Sequence, residues 1–150
     1  MSQTRSIEIL IADDDAEDRM LITEALYESR LKNNIQHVED GEELILYLKN
    51  EGKYSNKKQF PTPGIILLDL NMPKKDGREA LKEIKSDARL NMIPVIVLTT
   101  SKAEEDIVRS YNLGVNSFIT KPVSFTAMVE VMKTLNKYWF EIVELPRRTS

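Results

Sequence analysis

The sequence predicts an α/β protein, a doubly wound parallel sheet of five strands with helices on both faces. Two observations carry this. Five short runs rich in apolar and β-branched residues alternate with five helix-like segments along the 150 residues. The first, third and fourth runs are almost continuously apolar, as central parallel strands covered on both faces must be. Strict alternation of this kind implies parallel strands joined by crossover helices.

The first run, Ile7 to Ala12, ends in Asp13-Asp14-Asp15. Asp15 is placed to cap the helix that follows, with Asp18 at its third position in the manner of a capping box. The second run, Ile35 to Glu39, is weaker. In the helix after it Leu44, Ile45 and Leu48 share a face. Lys49 to Pro63 then breaks the rhythm, being polar, punctuated by Gly and Pro, and long for a connection between a helix and a strand. It reads equally as a partner-contact loop and as a tolerated surface insertion. The third run is Ile65 to Leu68, and Leu81, Ile84 and Lys85 mark the third helix. The fourth run is Val95 to Leu98 and the fifth Ser117 to Thr120. Ser124 is placed to cap the last helix, whose Phe125, Met128, Val129, Met132 and Leu135 follow helical spacing and are expected to face the core.

One domain is the natural reading of this length. With 41% hydrophobic and 30% charged residues the composition is that of an ordinary soluble domain, not a disordered chain. A net charge of −3 supplies no pull toward nucleic acid. No cysteine is present, which removes disulfides and thiolate chemistry. The apolar run at the start is too short for a membrane span or a signal peptide, so a cytoplasmic protein is expected.

Ligands of parallel α/β sheets bind beyond the carboxyl ends of the strands. Here strand one ends in Asp13-Asp14, strand three in Asp69, strand four in Thr99 and strand five in Lys121. Any one of these alone reads as a cap or a solvated charge. Five at matching positions read as a site. Clustered carboxylates repel and need a cation, and hard oxygen ligands select Mg²⁺, with Mn²⁺ an alternative. With that charge neutralised a carboxylate can attack phosphorus, while an ammonium and a hydroxyl clamp the transferring group.

ILIADDD, LLDLNMPKKDG, PVIVLTTS and FITKP, in this order and spacing, resemble the receiver domain of two-component response regulators. The resemblance runs from about Ile7 to about Lys137. It implies a flavodoxin-like fold with strand order 2-1-3-4-5. It implies phosphoryl acceptance on Asp69 from a sensor histidine kinase, autodephosphorylation, and no other enzymatic activity. The Mg²⁺ ligands it implies are Asp14 directly, Asp13 through water, Asp69, and the backbone carbonyl of Asn71. Thr99 matches the switch hydroxyl, Lys121 the phosphate-pairing lysine, and Phe118 the switch aromatic, without the hydroxyl of a tyrosine. Thr100 stands where the family tunes access to the phosphoryl group. GKYSN, PTPGIILLDLNMPKKDGREALKEIK and KYWFEIVELP further resemble the small regulators paired with bacterial and cyanobacterial phytochromes.

Two rival readings use similar residues. A haloacid-dehalogenase-type phosphatase also uses Asp, Mg²⁺, Thr or Ser, and Lys, but its nucleophile lies on the first strand and its acid pair comes late. A receiver-like adaptor without phosphorylation would be marked by an incomplete acidic pocket. An EF-hand over Asp13 to Asp18 fails, because its required glycine falls on Asp18. The lone His37 is expected to be structural. A receiver over 1–138 and an apolar tail over 139–150, with no output domain, complete the expectation, so output is by protein–protein contact without nucleic acid or membrane. Trp139, Phe140, Ile142, Val143 and Leu145 in that tail suggest a homodimer through the fourth and fifth helical segments, the fourth near Tyr111, with the fifth strand and the tail. Folding of the tail over its own domain is the other reading. A cis peptide is expected at Lys121-Pro122, where strand five must turn abruptly.

Overall fold

The structure, a computed structural model, describes residues 8–28, 34–70, 72, 74–75, 77–99, 117–122 and 124–137; the side chains at 99, 117, 118 and 136 are outside the description. In chain order the elements are β1 (Glu8–Ala12), α1 (Ala16–Glu28), β2 (Asn34–Val38), α2 (Gly41–Lys49), a 3₁₀ turn (Gly52–Tyr54), β3 (Ile65–Asp69), α3 (Gly77–Ser86), β4 (Val95–Thr99), β5 (Ser117–Thr120) and α4 (Phe125–Lys137). The fourth helical segment of the sequence lies outside the described residues, so α4 is the fifth. The strands form one parallel sheet in the order β2-β1-β3-β4-β5. This is the expected fold.

Alternation along each strand divides the core into two layers. Leu10, Ala12, Ile66, Leu68, Val95 and Val97 face α2 and α3, where Leu44, Leu81 and Ile84 meet them. Ile9, Ile11, Ile65, Leu67, Ile96 and Leu98 face α1 and α4, against Ile22, Leu26, Met128 and Met132. Because both faces are covered, β3 is buried at every position.

The caps fall where expected. Asp15 Oδ1 accepts from the backbone N–H groups of Glu17 and Asp18 at 2.9 and 3.3 Å. Ser124 Oγ accepts from Ala127 N–H at 3.1 Å. Phe125 departs from expectation: it is 39% exposed. As the first residue of α4 it sits beyond the layer that buries Met128, Met132 and Leu135, and lines a groove with Glu24, Tyr27 and Glu28. The Lys121-Pro122 bond also departs, since no cis peptide occurs among the described residues. Lys121 reaches its carboxylates with the ordinarily favoured trans bond.

The long connection after α2 is a packed structure. Asn50 ends the helix in the left-handed region at φ 53° and its side-chain amide donates to the carbonyls of Tyr54 and Phe60. Tyr47, Tyr54 and Phe60 form a three-ring cluster with centroids 5.0–5.7 Å apart. Tyr47 Oη donates to Pro61 O and Tyr54 Oη to Glu43. Burial, then the nearby Glu8 and Tyr54, push the Tyr47 hydroxyl up to about 12.

Candidate functional site

β1 and β3 pair in register through Ala12 and Leu68, so the residues that follow, Asp13 and Asp69, emerge side by side at the carboxyl edge. Thr99 pairs with Thr120 at the ends of β4 and β5, which sets Lys121 one residue beyond the same edge. Asp13 is fully buried and Asp69 nearly so, while Asp14 is exposed. One carboxylate oxygen from each of Asp13, Asp14 and Asp69 lies within 4.8 Å of the others. Lys121 Nζ lies 3.1 Å from Asp13 Oδ2 and 3.5 Å from Asp69 Oδ2. Its shortest contact, a hydrogen bond of 2.9 Å, is to Asp18 Oδ2.

The turn after β3 is held from below. Gly77 N–H donates to Leu70 O at 2.9 Å, and a Cβ on Gly77 would stand 2.5 Å from Asp69 O. Gly41 N–H donates to Lys75 O, and a Cβ there would meet that oxygen at 2.0 Å. Only glycine permits either approach. These contacts clamp both ends of the segment that begins with the Asp69 carbonyl.

Burial raises the Asp13 carboxyl above its ordinary value, against the opposing pull of the Asp15 backbone N–H and of Lys121. Burial also works against the Lys121 ammonium, but the hydrogen bond it donates to Asp18 and the charges of Asp13 and Asp69 outweigh it and hold Lys121 above the usual lysine range. Asp13 Oδ2 is buried without a hydrogen bond aligned on it. The lysine contact to that oxygen is therefore an ion pair, with a directed hydrogen bond going to Asp18. A buried carboxylate oxygen with no hydrogen bond aligned on it, beside two more carboxylates, is the donor set a hard divalent cation takes, and Mg²⁺ or Mn²⁺ fits it.

The structure thus gathers Asp13, Asp14, Asp69 and Lys121, and puts the backbones of Thr99 and Phe118 on the two neighbouring strands. Asn71, Thr100, Tyr111 and the tail from 139 onward lie outside the described residues, as do the Thr99 and Phe118 side chains. His37 takes no part: it is on β2, its Nε2 3.1 Å from Thr23 Oγ1, and burial with Arg19 nearby lowers its pKa. Two neighbours of the site were not singled out for it from the sequence. Asp18 was assigned to capping, yet its carboxylate meets Lys121. Arg19 Nη1 donates to Asp13 O at 2.8 Å and its Nη2 lies 3.7 Å from Glu39 Oε2, fixing the turn that carries the acid pair. An acid and a base one turn into α1, on the side toward the sheet edge, were the available signal.

Comparison with known proteins gives a consistent result. The family model described as the response regulator receiver domain matches residues 9–133. Response regulator Rcp1 of Synechocystis sp. is 41% identical over 138 residues, covering 92% of each chain. The structure of the phosphorylated cyanobacterial phytochrome response regulator RcpA superposes with a TM-score of 0.84 at 43% identity, over 95% of this chain and 100% of that one. The Mn²⁺-bound form of Rcp1 superposes at 0.80 with 39% identity, over 94% and 99%.

Proposed function

The chain belongs to the response regulator receiver family, and from that premise we propose that Asp69 is its phosphoacceptor and that a sensor histidine kinase of the phytochrome class is its donor. The carrying observation is the buried Asp69 carboxylate at the end of the central strand, with Asp13, Asp14 and the Lys121 ammonium converging on it. The phytochrome assignment is supported by Rcp1 and RcpA, the second named as a phytochrome response regulator.

Asp13, Asp14, Asp69 and the Asn71 carbonyl would hold Mg²⁺ or Mn²⁺, which when bound neutralises charge on the transferring group. An Asp69 carboxylate oxygen attacks the phosphorus and forms the new O–P bond. The donor's N–P bond breaks, its electron pair stays on the donor nitrogen, and the proton already on the other ring nitrogen makes the departing kinase histidine a neutral imidazole. Lys121 pairs with a phosphoryl oxygen and the Thr99 hydroxyl donates to another. Thr99 drawn inward leaves room for Phe118 to turn in. The surface of the fourth helical segment, β5 and α4 then shifts its population toward the active form. The same site returns to its resting state by autodephosphorylation.

The domain assignment proposed is a receiver over 1–138 with the tail over 139–150 as an interface, making a homodimer through the fourth helical segment, β5, α4 and the tail. Its support is the apolar content of the tail, Trp139, Phe140, Ile142, Val143 and Leu145. No helix among the described residues is long and apolar enough to cross a membrane. The proposed place of action is the cytoplasm, facing the kinase.

Acetyl phosphate with Mg²⁺ is expected to add one phosphoryl group to the wild type and none to Asp69→Asn, and excess chelator to stop the reaction. Equal labelling of Asp69→Asn, or undiminished labelling in chelator, contradicts the assignment.

A further inference from the structure

Lys121 has four acids around the site edge, and the one it hydrogen-bonds is the one the phosphoacceptor chemistry leaves unused. We propose that Asp18 is a positioning residue that draws the Lys121 ammonium away from Asp69 and so slows phosphoryl acceptance. The inference rests on the reading of Asp69 as phosphoacceptor and adds a rate-setting residue to it.

The order of distances carries the proposal. Nζ is 2.9 Å from Asp18, 3.1 Å from Asp13 and 3.5 Å from Asp69. The acid that is to carry the phosphoryl group is the farthest of the three. An ammonium has three N–H donors and no acceptor, so each carboxylate competes for a share of it. Asp18 is well placed to hold its share. Its backbone N–H is tied to the Asp15 cap at 3.3 Å, which fixes the first turn of α1. Its side chain is 35% exposed, whereas that of Lys121 is 12% exposed. The carboxylate therefore stands at the mouth of the site and the lysine stem within it. For Lys121 to close on an oxygen of a phosphoryl group carried by Asp69, the Asp18 bond must stretch or break. The same bond gives the ammonium a resting place when the group leaves.

The plainer alternative is that Asp18 only places negative charge at the N-terminal end of α1. A coupling experiment separates the two. Labelling rates from acetyl phosphate and Mg²⁺ are followed by intact mass for the wild type, Asp18→Ala, Asp18→Glu, Lys121→Ala, the double variant Asp18→Ala/Lys121→Ala, and Glu17→Ala as a charge control. Glu17 is exposed in the same helical turn. Ala is well tolerated at a helical position, so the fold is not at risk. Asp18→Ala is expected to label about two- to fivefold faster, the range that a partly exposed ion pair can supply. Asp18→Glu is expected to return the rate toward wild type, Glu17→Ala to leave it unchanged, and Asp18→Ala to have no effect once Lys121 is gone. No acceleration in Asp18→Ala, or the same acceleration without Lys121 or in Glu17→Ala, overturns the proposal alone. A wild type that takes up no phosphoryl group overturns the functional reading and this inference with it.

Discussion

At the scale of single residues, the strand ends were legible and the helix side of the site was not. Asp13, Asp14, Asp69, Thr99 and Lys121 could be placed because a parallel sheet delivers the residues at the carboxyl end of each strand to one edge. Asp18 could not, because an acid in the first turn of a helix already has a sufficient explanation in capping. Phe125 shows the converse: its spacing matches Met128 and Met132, but a helix's first residue can overhang the layer its period points to. Asp13 carries a prediction at this scale. Its folded pKa is raised, chiefly by burial. Stability from such a group is fully present below the unfolded carboxyl pKa, about 4, and is lost as pH rises through the folded value. Without metal at neutral pH, Asp13 ionised is thus a cost to the fold. Asp13→Asn is expected to melt about 2–4 °C higher than wild type in chelator, the shift that about 1 kcal/mol produces in a domain of this size. Its stability should also fall less between pH 4 and 7. A lower melting temperature for the variant at pH 7 would show that the Lys121 ion pair outweighs burial.

At the scale of elements, five strands and four of the helical segments were recovered because their periodicity reflects burial on one face or two. The connection from Lys49 to Pro63 was read by its polar composition, and there the sequence pointed elsewhere. Lys53, Lys57 and Lys58 are the exposed surface of a turn whose contacts are made by Tyr54 and Phe60. The two rings are six residues apart and everything between them, Ser55 to Gln59, is polar, so neither alternation nor a helical stripe of apolar residues marked them. The connection is part of the core layer over α2. Tyr54 is buried, and removing its ring leaves a cavity against Tyr47 and Phe60. Tyr54→Ala is expected to destabilise the domain by about 3 kcal/mol. Tyr54→Phe gives up only the hydrogen bond to Glu43, at about 1 kcal/mol. Chemical denaturation measures both. Equal, negligible losses would make the turn an independent surface appendage.

At the scale of the molecule, the sheet is what brings the site together. Strands buried on both faces fix the edge, the Gly41 and Gly77 contacts fix the turn after Asp69, and a cationic side chain from β5 reaches acids from β1, α1 and β3. The strand order was legible only through the resemblance, since alternation alone does not choose between parallel topologies. The dimer belongs to this scale as well. Intact protein is expected to scatter light as a dimer, and deletion from Trp139 onward to give a monomer or an aggregation-prone domain. A monomeric intact protein at high concentration, phosphorylated or not, would contradict the interface. The central claim, that Asp69 takes the phosphoryl group, is tested most directly at the residue itself. After labelling with acetyl phosphate and Mg²⁺, borohydride reduces an aspartyl phosphate to homoserine, which peptide mass mapping can place. Homoserine at position 69 alone is the predicted result. Homoserine at Asp13, Asp14 or Asp18, or at no position in a protein that has gained the phosphoryl mass, would contradict it.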